Sequence, residues 1–266
     1  MIFCPLASGS SGNCTYVEAG GVRILIDAGL SCKRLCMLLN SINVKPETID
    51  AIFVTHEHAD HIAGITVFSK KYSVPVYANA ETHRAMMAKK TVVQPGLIRV
   101  IAPDRIFYLK KAQILPYSTP HDSVRSMGYS IMQGGCKCTV MTDIGHVSEP
   151  MLEAAADSSI LLLESNHDVE MLKCGPYSAS LKRRILSSRG HLSNADCGAA
   201  LLKFYRRGIR TVVLGHLSKE NNTPELAMVT VKSILQENGI LDSMQVICAK
   251  RDEPTGIFRI GEETGC

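Results

Sequence analysis

Thr-His-Glu-His-Ala-Asp-His, residues 55–61, places three imidazoles and two carboxylates within seven positions, directly after the apolar run 51–54. The candidate ligands among these side chains are His56, His58, Asp60 and His61. A β-strand that ends at this run would deliver all four into one loop. Imidazole and carboxylate suit zinc, manganese or iron, and the spacing differs from the i, i+4 pattern of helical zinc sites. The spacing therefore predicts a metal site rather than a solvated, histidine-rich turn.

Later residues follow apolar, strand-like runs in the same way. His121, Asp143 and His216 each stand at or just after the end of such a run, and Asp27 ends the run Ile-Leu-Ile-Asp. A single histidine or aspartate at a strand end is more often a turn or core residue. Four segments of the same kind indicate that these residues share one site.

The pattern His-x-His-x-Asp-His at the end of a strand resembles the signature of the metallo-β-lactamase superfamily. The resemblance implies an α/β (α+β) fold, a four-layer αββα sandwich with two packed sheets and helices outside. It implies two divalent metal ions per chain, manganese or zinc, held by His56, His58, Asp60, His61, His121, Asp143 and His216. In this family the later aspartate, here Asp143, bridges the two ions. Asp27 would brace the histidine loop without binding metal itself.

A centre of this kind predicts hydrolysis by a metal-activated hydroxide. Two close cations lower the pKa of a shared water towards neutrality, and Asp60 would orient the hydroxide and accept its proton. The same machinery hydrolyses esters of several kinds, so the substrate has to be predicted from other residues.

Length and composition fit a single domain covering residues 1–266, with 45% hydrophobic and 20% charged residues. No apolar run approaches the roughly 18 residues of a membrane span. The amino terminus lacks the basic and apolar segments of a signal peptide, so we expect a cytoplasmic protein without membrane contact. Ten scattered cysteines are expected to be reduced, and the close pair Cys136 and Cys138 favours hairpin packing. The net charge of +4 permits an anionic substrate.

Strand-like and helix-like segments alternate along the chain, without a linker or repeat. The patterns predict strands at 2–6, 15–18, 22–27, 51–55 and 111–117, and near residues 130, 140, 160 and 212. They predict helices at 31–40, 64–72, 80–88, 181–188, 194–206 and 223–238. This alternation fits the αββα sandwich.

Three motifs in the second half point to the substrate: Glu-Ser-Asn-His-Asp at 164–168, Gly-His-Leu-Ser-Asn at 190–194 and Gly-His-Leu-Ser-Lys-Glu-Asn-Asn at 215–222. Backbone amides at the start of a helix form an anion site, and nearby hydroxyls and carboxamides suit phosphate oxygens. Helix capping explains the same serines and asparagines equally well. The predicted substrate-binding residues are Ser10, Asn13, Asn166, His167, Ser193, Asn194, Asn221 and Asn222.

Together with Gly-Ser-Ser-Gly-Asn-Cys at 9–14, these motifs are similar to the bacterial YycJ (WalJ) family nearly end to end. The resemblance implies 5′-to-3′ exonuclease activity on DNA that depends on a divalent metal, manganese being favoured. Glu164 and His191 are also similar to a pair in ribonuclease Z, which implies that His191 is a general acid oriented by Glu164. His146 stands where the family pattern has an aromatic residue, and we interpret it as a surface histidine rather than a spare ligand.

Electrostatic support for DNA binding is modest. Basic residues cluster around the helices that flank His191, namely Lys182, Arg183, Arg184, Arg189, Arg206, Arg207 and Arg210. Phosphate contact and a solvated surface explain them equally well. With 5% aromatic residues and no tryptophan, extensive base stacking is not expected. Tyr129 and Tyr177 are possible stacking residues, although packing explains either equally.

The predicted partner is therefore DNA, held through its backbone at a 5′ end. Two alternatives stay open. One is a metal-dependent hydrolase of RNA or another small ester, similar to ribonuclease Z or a thioesterase. The other is a non-catalytic, nucleic-acid-binding relative that kept the fold and lost the chemistry.

Overall fold

Two seven-stranded sheets form the framework of the computed structural model, which describes residues 1–261. Across the first sheet the strands are β14 (Phe258–Arg259), β1 (Ile2–Ala7), β2 (Cys14–Ala19), β3 (Val22–Ile26), β4 (Ala51–Phe53), β5 (Val76–Ala78) and β6 (Ile98–Val100). Across the second they are β13 (Gln245–Cys248), β12 (Thr211–Gly215), β11 (Ile160–Glu164), β10 (Cys136–Met141), β9 (Met127–Gln133), β8 (Ala112–Ser118) and β7 (Phe107–Leu109).

The two sheets share one order of strand pairing. In each, the chain first makes antiparallel pairs, β1 to β3 and β7 to β10. It then makes parallel pairs, β3 to β6 and β10 to β13. β14 returns antiparallel to β1. Because parallel strands end at the same edge of a sheet, the segments that follow β3 and β4, and those that follow β10, β11 and β12, are brought together.

Helices cover the outer faces of both sheets. They are α1 (Cys32–Ser41), α2 (Ala59–Ile62), α3 (Ile65–Tyr72), α4 (Ala80–Ala88), α5 (Glu149–Ala155), α6 (Val169–Cys174), α7 (Ala179–Ile185), α8 (Asn194–Arg206) and α9 (Pro224–Glu237). Short 3₁₀ helices lie at Pro46–Thr48, Pro95–Leu97 and Leu241–Ser243.

Alternation along the strands builds three apolar layers. In β11, Leu162 packs between the sheets with Phe53 and Tyr129, whereas Leu161 and Leu163 pack under the helices of the second sheet. Successive side chains of a strand point to opposite faces, so a strand buried on both faces is apolar throughout. The predicted αββα sandwich is confirmed.

Some short elements departed from the sequence prediction. Strands β5, β6, β7, β13 and β14 and helices α2, α5 and α6 were not predicted, because segments of two to seven residues carry little periodicity. The helix predicted at 181–188 instead spans Ala179–Ile185, since the Ser178 side chain accepts a hydrogen bond from the Leu181 amide at 3.3 Å and caps its start.

Cys136 and Cys138 lie on one strand of the hairpin β9–β10, and the nine cysteines within residues 1–261 are free thiols. Cys266 lies outside the described residues. No helix within residues 1–261 is both long enough and apolar enough to cross a membrane.

Candidate functional site

The predicted ligands lie where the strands end. His56 and His58 follow β4, and Asp60 and His61 lie in the one-turn helix α2 rather than in the predicted open loop. This helix forms because the His61 amide donates to the His58 carbonyl at 2.9 Å. The turn brings all four side chains to the same edge of the first sheet.

Two groups of side chains each place their ligand atoms within 4.8 Å of one another. The first contains His56, His58 and His121, and the second contains Asp60, His61 and His216. Asp143 lies between them. Its Oδ1 is 3.8 Å from His121 Nε2 and 3.5 Å from His216 Nε2, and its Oδ2 is 3.2 Å from His61 Nε2. The structure thus brings together all seven predicted ligands, with one carboxylate central to both groups.

The chemistry of this cluster fits divalent cations. Within residues 1–261, His56 Nε2 and Asp143 Oδ2 are buried without a hydrogen-bond partner, which is costly unless a cation satisfies them. Burial holds the pKa of His56 well below its ordinary value, so this imidazole stays neutral. Burial alone would raise the pKa of Asp143, but His216 and His61 hold it well below its ordinary value. A neutral imidazole and an ionised carboxylate are the forms that bind metal.

Asp27 fixes the orientation of the histidine loop. It accepts hydrogen bonds from His61 Nδ1 at 2.7 Å, and from the amide and Oγ1 of Thr55 at 2.8 Å each. Because Nδ1 donates to Asp27, the Nε2 lone pair of His61 faces the cluster. Asn13 Nδ2 braces the same turn from the other side, 3.2 Å from Asp60 Oδ2.

Glu164, at the end of β11, holds two histidines with one oxygen. Its Oε1 accepts from His191 Nδ1 at 2.8 Å and from His216 Nδ1 at 2.9 Å. Its Oε2 accepts from the amides of Ile144 and Leu192 at 2.9 and 3.0 Å. Burial would raise the pKa of Glu164, but His191 and His216 lower it to about 2. Conversely, burial would lower the pKa of His191, yet Glu164 raises it above its ordinary value.

Three of these strand-end residues have left-handed backbone conformations. Asp27, Asp143 and His216 have φ values of 61°, 56° and 55°. Such values are uncommon outside glycine and cost free energy, so they persist only where the surrounding structure enforces them. Each turn redirects the chain at the end of its strand and places the side chain in the cluster.

A cleft of about 230 Å³ opens over the cluster. Of the eight predicted substrate-binding residues, Ser10 and Asn166 line it. The other six lie outside its lining: Asn13, His167, Ser193, Asn194, Asn221 and Asn222.

The polar groups of those six residues are largely used inside the protein. The carboxamides of Asn194 and Asn222 bond to each other at 2.9 Å, and Ser193 caps α8 by accepting from the Asp196 amide at 3.1 Å. His167 is only 1% exposed. Helix capping and loop bracing account for the polar groups of most of these six residues, and their contact with substrate stays a prediction.

Leu181 and Ile185 of α7, and Ser218 from the segment after β12, also line the cleft and were not predicted from the sequence. Tyr177 and Arg184 line it as well, and the sequence predicts them as a possible stacking residue and a possible phosphate contact. The i, i+3, i+4 spacing of Leu181, Arg184 and Ile185 places them on one helical face. The spacing is visible in the sequence, but nothing in the sequence indicates which face of α7 lies towards the metal cluster.

Of the seven basic residues, Arg184 alone is part of the cleft lining. Arg207 pairs with Glu149 and Glu153, past the carboxyl end of α8. His191 precedes the other end of this 13-residue helix, about 20 Å away at 1.5 Å per residue. Tyr129 is a core residue. His146 is exposed and outside the metal-binding groups, in line with its interpretation as a surface histidine.

A model of the metallo-β-lactamase superfamily matches residues 7–216. The chain belongs to the metallo-β-lactamase superfamily. Exodeoxyribonuclease WalJ of Streptococcus pneumoniae serotype 2 (strain D39) is 41% identical over 234 residues, 87% of each chain. Exodeoxyribonuclease YycJ of Bacillus anthracis is 37% identical over 245 residues, 89% of this chain and 90% of the relative. The predicted resemblance to the WalJ/YycJ proteins is confirmed.

Solved structures of this superfamily share the fold at low identity. The metallo-β-lactamase fold protein YhfI from Bacillus subtilis has a TM-score of 0.72 at 17% identity, covering 97% of this chain and 100% of its own. Zn²⁺-bound PqqB from Methylobacterium extorquens also has a TM-score of 0.72, at 15% identity, covering 97% and 99%. At such identities the likeness extends to the fold alone.

Proposed function

We propose that this superfamily member is a divalent-metal-dependent DNA exonuclease that acts from the 5′ end. The observation that carries the proposal is the Glu164–His191 pair beside two ligand groups with Asp143 between them. The two relatives are similar to this chain over nearly their whole length, and both are named exodeoxyribonucleases, which supports DNA as the substrate.

The seven clustered residues would hold two ions, Mn²⁺ or Zn²⁺. When bound, two such ions supply Lewis acidity and lower the pKa of a water towards neutrality. Asp60 is the most open of the carboxylates in the cluster, and its Oδ2 lies 3.4 Å from both His61 Nε2 and His216 Nε2. That position suits a group that both binds an ion and holds the proton lost by the attacking water.

His191 supplies the proton that the leaving oxygen needs. Because Nδ1 donates to Glu164 at 2.8 Å, Nε2 is the nitrogen available to the cleft. The alkoxide released from a phosphodiester is strongly basic and departs readily only when it is protonated. A thiolate, with a pKa of about 8.5, has no such need. The Glu164–His191 pair therefore favours a phosphodiesterase over a thioesterase.

The decisive test uses protein stripped of metal and reloaded separately with Mn²⁺ or Zn²⁺. It is incubated with duplex DNA labelled at one 3′ end, and with a matched RNA. We expect progressive shortening of the labelled DNA from its 5′ end, absent in Asp60→Ala. Immediate release of the label would refute the polarity. Survival of DNA while RNA or a small phosphodiester is cleaved would refute the substrate and retain the metal chemistry.

A further inference from the structure

One wall of the cleft differs chemically from its ionic floor. Tyr177, Leu181, Arg184 and Ile185 line it, offering an aromatic ring, two aliphatic side chains and one cation. We refer to these four residues as the α7 wall. Imidazoles and carboxylates dominate the floor, so the wall faces a part of the substrate that is not the reacting phosphate. A nucleotide has such a part, with an apolar base face and a separate anionic group.

The α7 wall is fixed next to His191. The His191 amide donates to the Ile185 carbonyl at 2.9 Å, and a Cβ added to Gly190 would come within 2.1 Å of that carbonyl oxygen. The His121 ring bonds through Nδ1 to the Gly190 carbonyl at 3.1 Å. The wall therefore lies on the side of the cleft from which the leaving group receives its proton.

This placement identifies the nucleotide that meets the wall, given the exonuclease function proposed above. When the water oxygen bonds to phosphorus, the P–O3′ bond breaks and O3′ takes the proton from His191 Nε2. The leaving alcohol is then the nucleotide on the 5′ side of the cleaved phosphate. Since that nucleotide lies against the wall, it is the one enclosed by the cleft.

The dimensions favour a single nucleotide at this position. The cleft has a volume of about 230 Å³, below the roughly 300–1,000 Å³ of sites that enclose drug-sized ligands. A cleft of this size leaves little room for a strand that continued on the 5′ side of this nucleotide. A terminal nucleotide as the leaving group would explain cleavage from the end and its polarity together.

Arg184 is placed to bind the phosphate of that terminal nucleotide. Its Nε pairs with Asp122 Oδ2, and Asp122 Oδ1 lies 3.2 Å from His121 Nε2. Within residues 1–261 no hydrogen bond involves the two terminal amines of this guanidinium, and the side chain is 53% exposed. Asp122 thus separates the Arg184 guanidinium from the predicted metal ligand His121. A guanidinium at this position suits the 5′-phosphate of the terminal nucleotide, which is one nucleotide away from the phosphate that is cleaved.

We propose that the α7 wall is the subsite for the 5′-terminal nucleotide, with the Tyr177 ring stacked on its base and Arg184 bound to its 5′-phosphate. Base stacking on an aromatic ring contributes a factor of about 5 to 150 in affinity and tolerates any base. The subsite therefore selects an end and a phosphate rather than a sequence.

The first test is binding, which does not depend on DNA cleavage. Titration calorimetry on metal-loaded protein compares dAMP with deoxyribose 5-phosphate. We expect Tyr177→Ala to weaken dAMP about 5- to 150-fold and deoxyribose 5-phosphate less than twofold, with Tyr177→Phe restoring dAMP affinity. Arg184→Ala should weaken both ligands. If Tyr177→Ala weakened the affinity for both ligands equally, or left the dAMP affinity unchanged, the proposed subsite would be overturned.

The second test is the choice of DNA end. Wild-type protein should cleave 5′-phosphorylated DNA faster than 5′-hydroxyl DNA and leave circular single strands intact, and Arg184→Ala should lose the phosphate preference through KM rather than kcat. Arg183→Ala, on the same helix but outside the cleft lining, is the matched control and should retain the preference. Cleavage of circles at the linear rate would overturn the subsite even though DNA is the substrate. Failure to cleave any DNA would refute the exonuclease function, and dAMP binding would then decide the subsite alone.

Discussion

Replacing Glu164 by glutamine tests whether one carboxylate controls both metal binding and proton donation. Glu164 is fully buried and accepts four hydrogen bonds, two from imidazoles on Oε1 and two from backbone amides on Oε2. A glutamine of the same shape has one oxygen and one NH₂ group. Whichever way it is turned, two of the four donors lose their acceptor.

We expect the two imidazoles, rather than the two backbone amides, to lose their hydrogen-bond acceptor. A backbone amide cannot move its proton, but an imidazole can, so the glutamine oxygen faces the amides and its NH₂ faces Nδ1 of His191 and His216. Two charge-assisted hydrogen bonds are replaced by weaker, neutral ones from the NH₂ group to Nδ1, a loss of about 2–3 kcal/mol in the free energy of unfolding. The proton of His216 moves to Nε2, which is then unable to bind metal. Metal affinity should fall about 10- to 100-fold and turnover about 10²- to 10⁴-fold.

The assays are urea unfolding of metal-free protein, metal titration and DNA turnover. Glu57→Gln is the matched control, because this buried carboxylate of the histidine loop has its Oε1 bonded to the Val124 amide at 3.1 Å, which a glutamine oxygen can keep. His191→Gln should lose turnover without losing metal. Wild-type metal affinity in Glu164→Gln would refute the reasoning, since it would mean that the tautomer of His216 is set by another group.

Three further predictions follow from neighbouring features. Asp60→Ala should abolish turnover and weaken binding of the second metal equivalent while the far-UV circular dichroism stays unchanged; turnover within threefold of wild type would contradict the mechanism. Gly29→Ala should destabilise the protein by more than the roughly 1–3 kcal/mol of ordinary overpacking, because the added Cβ would lie 1.6 Å from the Asp60 carbonyl oxygen. Gly96→Ala, with open space around it, is its control in the same urea titration and should be neutral. His167→Leu should leave stability unchanged or raise it, because both ring nitrogens of this buried side chain lack a partner within residues 1–261; a loss above about 2 kcal/mol would show that the ring binds an ordered water or another group.

The metal cluster was largely predictable from the sequence, for a physical reason. Each ligand segment follows an apolar run. The runs before the histidine loop, Asp143 and His216 become strands with parallel neighbours, whose ends meet at one edge, whereas β8, before His121, is antiparallel to its neighbours. The close spacing from His56 to His61 made these ligands easier to predict, since any strand that ends near Val54 brings their side chains together. The φ values of Asp27 and Asp143 could not be read from the sequence, although aspartate tolerates this conformation better than most residues.

The cleft wall and the asparagine network were not predictable in the same way. Asn194 and Asn222 are equally suited to bind a phosphate or to brace a loop, and only burial distinguishes the two roles. The position of Tyr177 and Arg184 depends on how the segment between β11 and β12 packs across the sheet ends. That packing is a tertiary property, and local periodicity contains no record of it.

The distribution of the clustered residues between the two sheets has a consequence for biosynthesis. Asp27 and the histidine loop belong to the first sheet, whereas Asp143, Glu164 and His216 emerge much later from the ribosome. A nascent chain that has completed only β1 to β6 has the three histidines of this loop without the central carboxylate of Asp143, so it would hold at most one ion, and loosely. With the two ions proposed above, the second would enter only after both sheets have closed upon each other. Its uptake would mark the end of folding, and an unfinished chain would present no hydrolytic centre to the nucleic acids around it.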